Sequence, residues 1–280
     1  MKTAALVFSG GALRGFAQLG AYKAIETFLK KKNIIVKTVV GTSFGSITAS
    51  LVALGYTSTE MVAFAKENKL KMSNMADIKI IGPGFLRGNR VKKELRKAIG
   101  DKTFQDTKIK LVINTVDLLS GKEYIFTPVG LKASDHSEVI KDKEIKILDA
   151  IRASTAIPAV FMPLEKYGRI WVDGGLVNPM CLDTLDKRKY DYIIGVDVSM
   201  ANFNFIDDKD ERIRKVQVMQ QAISIAQRQF HFEKVEEHMQ KHKNFYLIRP
   251  PVGPVRPKRK GEMQRILNVG YKEAKKVLDV

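Results

Sequence analysis

A serine held between two glycines, Gly41-Thr42-Ser43-Phe44-Gly45, is where chemistry is most directly legible in this 280-residue chain. In G-x-S-x-G the small residues let a strand turn sharply into a helix and lift the hydroxyl clear of the backbone, ready to attack an ester carbonyl. The same residues also suit an ordinary Gly-rich turn. The setting favours a nucleophile: the β-branched run IIVKTVV (34–40) comes before it and the apolar SITASLVAL after it, reading as strand and buried helix.

A second loop, Ser9-Gly10-Gly11-Ala12-Leu13-Arg14-Gly15, follows the apolar run TAALVFS (3–9) and precedes a helical pattern from Gly15 to Lys31. Such a loop can point several backbone N–H groups at a negative charge. A dinucleotide site would need a glycine at position 12 and an acidic residue about 20 positions on, where this chain is basic. A phosphate loop would need lysine after Gly15, and Phe16 stands there. An oxyanion hole remains, beside the plainer reading of close strand–helix packing.

A serine hydroxyl needs a base, and the histidines are poorly placed for it. His231, His238 and His242 fall in a helical stretch at spacings of seven and four, the pattern of a solvated face, and His136 lies in the polar loop KASDHSE. The alternative is Trp171-Val172-Asp173-Gly174-Gly175, an aspartate ending an apolar strand before two glycines that let it approach a crowded site. Taken alone, Asp173 reads better as a turn or cap carboxylate, the commoner fate of an Asp-Gly pair at a strand end.

Taken in order, SGGALRG, GTSFG and DGG resemble the signatures of the patatin-like phospholipase family, especially its compact bacterial members. VINTVDLLSGKEYIF, RASTAIPAVFMPL and DYIIGVDVS are similar to family segments too, so the resemblance runs to about residue 200. It implies an α/β fold, a three-layer α/β/α sandwich with a mostly parallel central sheet. It also implies a Ser43–Asp173 dyad, oxyanion donors from Gly10, Gly11 and Ala12, and no cofactor or metal. Arg14, Gly15, Gly41, Gly45, Gly174 and Gly175 match supporting motif positions. Two departures stand out: Ala12 replaces a glycine, and Cys181 replaces the proline common after Asn178-Pro179. The activity implied is lipid acyl ester hydrolysis, of the phospholipase A, lysophospholipase or carboxylester type.

The elements that must position these residues follow from periodicity. Strands are expected at 3–9, 34–40, 109–116, 122–127, 169–172, 191–198 and 244–249, with helical patterns between several of them, as in layered α/β folds. Residues 209–242 carry Val216, Met219, Ile223, Ala226 and Phe230 spaced by three and four, an apolar stripe expected to pack on the sheet. Residues 73–90 and the Pro-rich 250–261 read as irregular. The catalytic core is expected over 1–205, with 206–280 adding a long helix, a strand, a basic loop and a final helix to the same domain.

Composition bounds the setting. No apolar run is long enough to span a membrane, and the first twenty residues read as a strand and turn rather than a secretory leader. One cysteine excludes an intrachain disulfide, so cytoplasmic residence is expected. A net charge of +18 attracts polyanions. Nucleic-acid motifs are lacking, so the expected partners are a lipid or phospholipid substrate and an anionic membrane surface. Ile80, Ile81, Phe85 and Leu86 are candidates for a lid, and Pro257-Lys258-Arg259-Lys260 with Arg249 and Arg256 for headgroup contact. Two other readings use the same residues: a non-catalytic basic protein binding anionic membranes or nucleic acid, and a Ser-His-Asp esterase completed by His136.

Overall fold

The computed structural model describes residues 1–67, 89–128, 137–141, 144–199, 211–257 and 259–280. The order begins β1 (Lys2–Phe8), α1 (Phe16–Lys32), β2 (Ile34–Gly41), α2 (Phe44–Ala53), α3 (Ser58–Glu67) and α4 (Asn89–Ile99). It continues with β3 (Lys110–Asp117), β4 (Glu123–Phe126), β5 (Ser137–Ile140), α5 (Ile147–Ser154), β6 (Leu164–Lys166) and β7 (Arg169–Asp173). It ends with β8 (Tyr192–Val196), α6 (Glu211–Gln240), β9 (Phe245–Ile248) and α7 (Glu262–Leu278). The seven expected strands form within one or two residues of their expected bounds. The three-residue β6 and the four-residue β5 were too short to announce themselves, and α4 begins inside the stretch 73–90 read as irregular.

The strands form one mixed sheet in the order β5-β4-β3-β2-β1-β8-β9, with β7 on β3 and β6 on β7. β2, β1, β8 and β9 run parallel, whereas β4 and β7 are antiparallel to β3. β1 is buried on both faces: Ala4, Leu6 and Phe8 point into the larger apolar cluster under the helices, Ala5 and Val7 into the smaller one. This is why its sequence reads as a continuous apolar run. Among the described residues no helix is long and apolar enough to cross a membrane.

One detail of the register sets up the site. β2 pairs with the first half of β3, ending with Gly41 opposite Ile113, and β7 pairs with the second half, ending with Asp173 opposite Thr115. Because β2 is parallel and β7 antiparallel to β3, the carboxyl ends of both strands meet head to head along the same edge.

α1 ends at Asn33 in the left-handed conformation, with Lys30, Lys31 and Lys32 over its negative terminus. α7 crosses α1 at glycines: a Cβ on Gly20 would lie 1.9 Å from the Leu267 carbonyl oxygen, and one on Gly270 equally close to that of Ala17. Backbone cannot yield as a side-chain tip can, so Gly20→Ala should cost about 3 kcal/mol or more. Gly100, in open space at φ +63, should cost only about 1–2 kcal/mol as alanine. Urea denaturation of both variants checks this ranking, and equal losses would contradict the close crossing.

α6 departs from expectation. Met219 and Phe230, two members of its apolar stripe, are exposed, and the buried positions farther along are His231, Val235 and His238. Val235 is the α6 side chain in the smaller apolar cluster. The periodicity is helical as read, but Met219, Ala226 and Phe230 lie on the outward face while Ile223 is partly buried.

Candidate active site

β2 ends at Gly41 and the chain turns into α2 at Ser43, which adopts φ +51 and ψ −124. A non-glycine residue there carries about 1–3 kcal/mol of backbone strain. The flanking glycines make the elbow possible, since a Cβ on Gly45 would lie 2.1 Å from the Phe8 carbonyl oxygen and one on Gly41 2.4 Å from that of Gly45. The Ser43 amide is held by an acceptor from α5, donating to Ser154 Oγ at 2.8 Å. Ser154→Ala leaves that buried N–H without this partner, at about 1–3 kcal/mol. A lower melting temperature and lower kcat at nearly constant KM are expected; unchanged values of both would show the contact idle.

Asp173 ends β7, where its own amide donates to the Ala156 carbonyl. Its Oδ2 accepts the Ser43 hydroxyl at 2.6 Å and its Oδ1 accepts the Gly175 amide at 2.7 Å. Burial pushes this carboxyl up to about 7, against the opposing pull of those two hydrogen bonds. The turn is braced from behind, because Gly174 packs where a Cβ would fall 2.6 Å from the Asn114 carbonyl oxygen. Asn114 Nδ2 in turn donates to Glu123 Oε1 and to the Asn178 carbonyl. From the other side, Gln227 Nε2 of α6 donates to the carbonyls of Gly175 and Leu176, both at 2.6 Å.

The loop after β1 lies against the serine. Gly10 needs correcting as an expected oxyanion donor, since its amide donates to the Pro179 carbonyl at 2.9 Å. The amides of Gly11 and Ala12 have no acceptor among the described residues and both residues line the cleft. Ala12 takes φ +45, the conformation for which glycine is the usual choice. Arg14 clamps the loop to the chain beyond β8, donating from Nε to the Val198 carbonyl at 3.0 Å and from Nη2 to that of Ser199 at 3.2 Å. Burial lowers its guanidinium to about 10, partly offset by nearby Asp197. Gly15 lets the start of α1 pass the Phe44 ring.

Ser43 and Asp173 open into a cleft of about 310 Å³ whose apolar lining includes Ile157, Pro158, Leu176 and Ile223. It lies at the carboxyl ends of the parallel strands β1, β2 and β8, where open α/β sheets bind ligands. The histidines do not form the expected solvated face. His231 is buried, with Nε2 3.0 Å from Asp197 Oδ2 and 3.3 Å from Ser199 Oγ. His238 Nδ1 meets the Lys234 carbonyl and His242 Nε2 that of Tyr190. None of these three bonds to Ser43. His136 and the segment 80–86 lie outside the described residues.

The patatin-like phospholipase family model matches residues 6–186. The chain belongs to this family. A probable lipid hydrolase of Invertebrate iridescent virus 6 is 29% identical over 220 residues, 71% of either chain. An uncharacterized NTE family protein of Mycobacterium tuberculosis is 27% identical over 196 residues, 70% of this chain and 49% of its own. The chain thus spans about half the length of that mycobacterial relative. Among solved structures, VipD from Legionella pneumophila superposes with a TM-score of 0.58 at 16% identity, covering 99% of this chain and 66% of that one.

In this patatin-like phospholipase family member, several residues that brace the site escaped sequence reading. Ser154 and Asn114 sit inside segments that resemble the family, and nothing in their spacing ties them to Ser43 or Asp173. The Asp197–His231 pair spans 34 positions. Gln227 lies within the helical stretch 209–242 and belongs to no motif. Arg249, expected to be available to headgroups, is engaged with Asp197, Nε to Oδ2 at 3.2 Å.

Proposed function

We propose that the protein is a lipid acyl hydrolase that cleaves carboxylic esters, of the phospholipase A or lysophospholipase type, through an acyl-enzyme on Ser43 with Asp173 as its direct base. The observation that carries this reading is the 2.6 Å hydrogen bond from a buried serine at a strand–helix elbow to a buried carboxyl raised to about 7. An ordinary aspartate near 3.9 is a weak base, and one raised towards 7 is matched to proton transfer at neutral pH. We assign the catalytic core to 1–205, with 206–280 packed on the same unit.

In the first half-reaction Ser43 Oγ attacks the ester carbonyl carbon as its proton passes to Asp173 Oδ2. Charge gathers on the former carbonyl oxygen, towards which the Gly11 and Ala12 amides donate, with the positive end of α2 beneath. Collapse expels the alcohol or lysolipid, which takes the proton from Asp173. Asp173 then deprotonates a water that attacks the acyl carbon, releasing the fatty acid and restoring the Ser43 hydroxyl. The apolar lining of the cleft supports an acyl chain as the group bound there.

A fluorophosphonate should label Ser43 covalently, and a panel of phospholipids should release fatty acid, both read by mass spectrometry. Labelling elsewhere, or none, would remove the assignment. Because Asp173 must be ionised to accept the proton, kcat/KM on an uncharged ester should be flat above its pKa. It should fall about tenfold per pH unit below it, with an apparent pKa of about 7. A profile flat to pH 5 would mean that another group is the base.

A further inference from the structure

α6 turns a mostly polar side, with Ile223 among it, to the cleft and a mostly apolar arc outward. Gln220, Gln221, Ser224, Gln227 and His231 line the cleft. Exposed on the other arc are Val218, Met219 and Phe230, at 52%, 41% and 76%, with Ala222, Ala226 and Gln229 between them and Ile225, 61% exposed, at the border with the cleft. From Val218 to Phe230 the chain has no acidic residue, and Arg228 is its only charge. A water-facing surface ordinarily carries about a quarter to a third charged residues. Exposed apolar residues gathered on one helix face are the mark of a contact surface.

The stripe is continuous with the cleft. Ile225 both lines the cleft and is exposed, and Val177, next to the lining residue Leu176, is 50% exposed. This continuity argues for the occupant. A second protein sealed over the stripe would lie across the mouth of the cleft and hinder entry. A bilayer seated there would instead offer its acyl chains at that mouth. The net charge of +18 favours an anionic surface.

We infer that the outward face of α6 is the surface on which this protein seats at an anionic phospholipid bilayer, with Phe230 and Val218 entering the interface. The inference rests on the reading of the cleft as a lipid hydrolase site, and it assigns the interfacial contact to a helix whose other face braces Asp173 through Gln227.

The test pairs two substrates with one variant. Val218→Glu/Phe230→Glu changes exposed residues that do not line the cleft. It should bind vesicles of phosphatidylcholine with about one-third phosphatidylglycerol at least tenfold more weakly than the wild type. Hydrolysis of vesicle phospholipid should fall by a similar factor, while hydrolysis of a water-soluble short-chain ester stays within about twofold. Phe230→Trp should keep vesicle binding and shift its fluorescence to the blue on adding vesicles, the native Trp171 being fully buried. Unchanged vesicle binding by the double variant, or no blue shift, would overturn the proposal. So would a wild-type dimer that the double variant converts to monomer without loss of vesicle binding. Failure of the wild type to hydrolyse the soluble ester while still binding vesicles would strike the catalytic reading and leave the docking surface standing.

Discussion

Asp173→Asn is expected to abolish ester hydrolysis while making the protein harder to unfold at alkaline pH. Loss of a direct base should lower kcat by about 10³ to 10⁴-fold. The stability effect follows from the same burial. With its pKa raised from 3.8 to about 7, the folded protein holds on this group a proton that the unfolded chain has released throughout that interval. Stability therefore falls as pH rises from about 4 to 7 and stays reduced above, by up to roughly 4 kcal/mol at about 1.4 kcal/mol per pKa unit. Asparagine carries no charge and can still accept the Gly175 amide, so the variant should recover about 2–4 kcal/mol at pH 8 and almost nothing at pH 4. Urea melts at the two pH values, alongside activity, measure both effects. A variant that is inactive and also less stable at pH 8 would show that Asp173 holds the fold rather than opposing it.

Ser43→Ala should be the most damaging single change for turnover, with loss of fluorophosphonate labelling and a fall in kcat of roughly 10⁵ to 10⁶-fold. The proposed mechanism has Ser43 and Asp173 acting as a unit on one proton, so the double variant Ser43→Ala/Asp173→Asn should be no slower than Ser43→Ala alone. A multiplicative loss in the double variant would mean that the two groups act independently, which the hydrogen bond between them argues against. Substrate affinity should change little, because the apolar lining of the cleft is untouched.

The proposed nucleophile and base were legible in the sequence because each rests on a local device. A β-branched strand, a glycine-flanked serine and an apolar helix are adjacent in sequence, and so are an apolar strand and Asp-Gly-Gly. The supports did not show, since Ser154, Asn114 and Gln227 reach the site through tertiary contacts from other elements. Gly10 was misread for a related reason: whether an amide faces the site or a neighbouring carbonyl depends on Pro179, far along the chain. The orientation of α6 was hidden because helical spacing reveals that a stripe exists, not which side the protein takes. His231 is buried by its pairing with Asp197, and a short polar residue on one strand end gives a distant helix no warning. Antiparallel pairing of β4 and β7 onto β3 was likewise invisible in strand composition.

The meeting of β2 and β7 along one edge of β3 also bears on when the enzyme becomes active during folding. Ser43 and Asp173 stand 130 positions apart, and their separation is measured off along β3 by the two-residue step from Ile113 to Thr115, about 7 Å of strand. Neither half of the chain can assemble the pair alone, and the loop that must close is long. Recovered turnover after dilution from denaturant should therefore lag behind helix formation and coincide with completion of the sheet, which makes catalysis a clock for the slowest long-range pairing in the molecule.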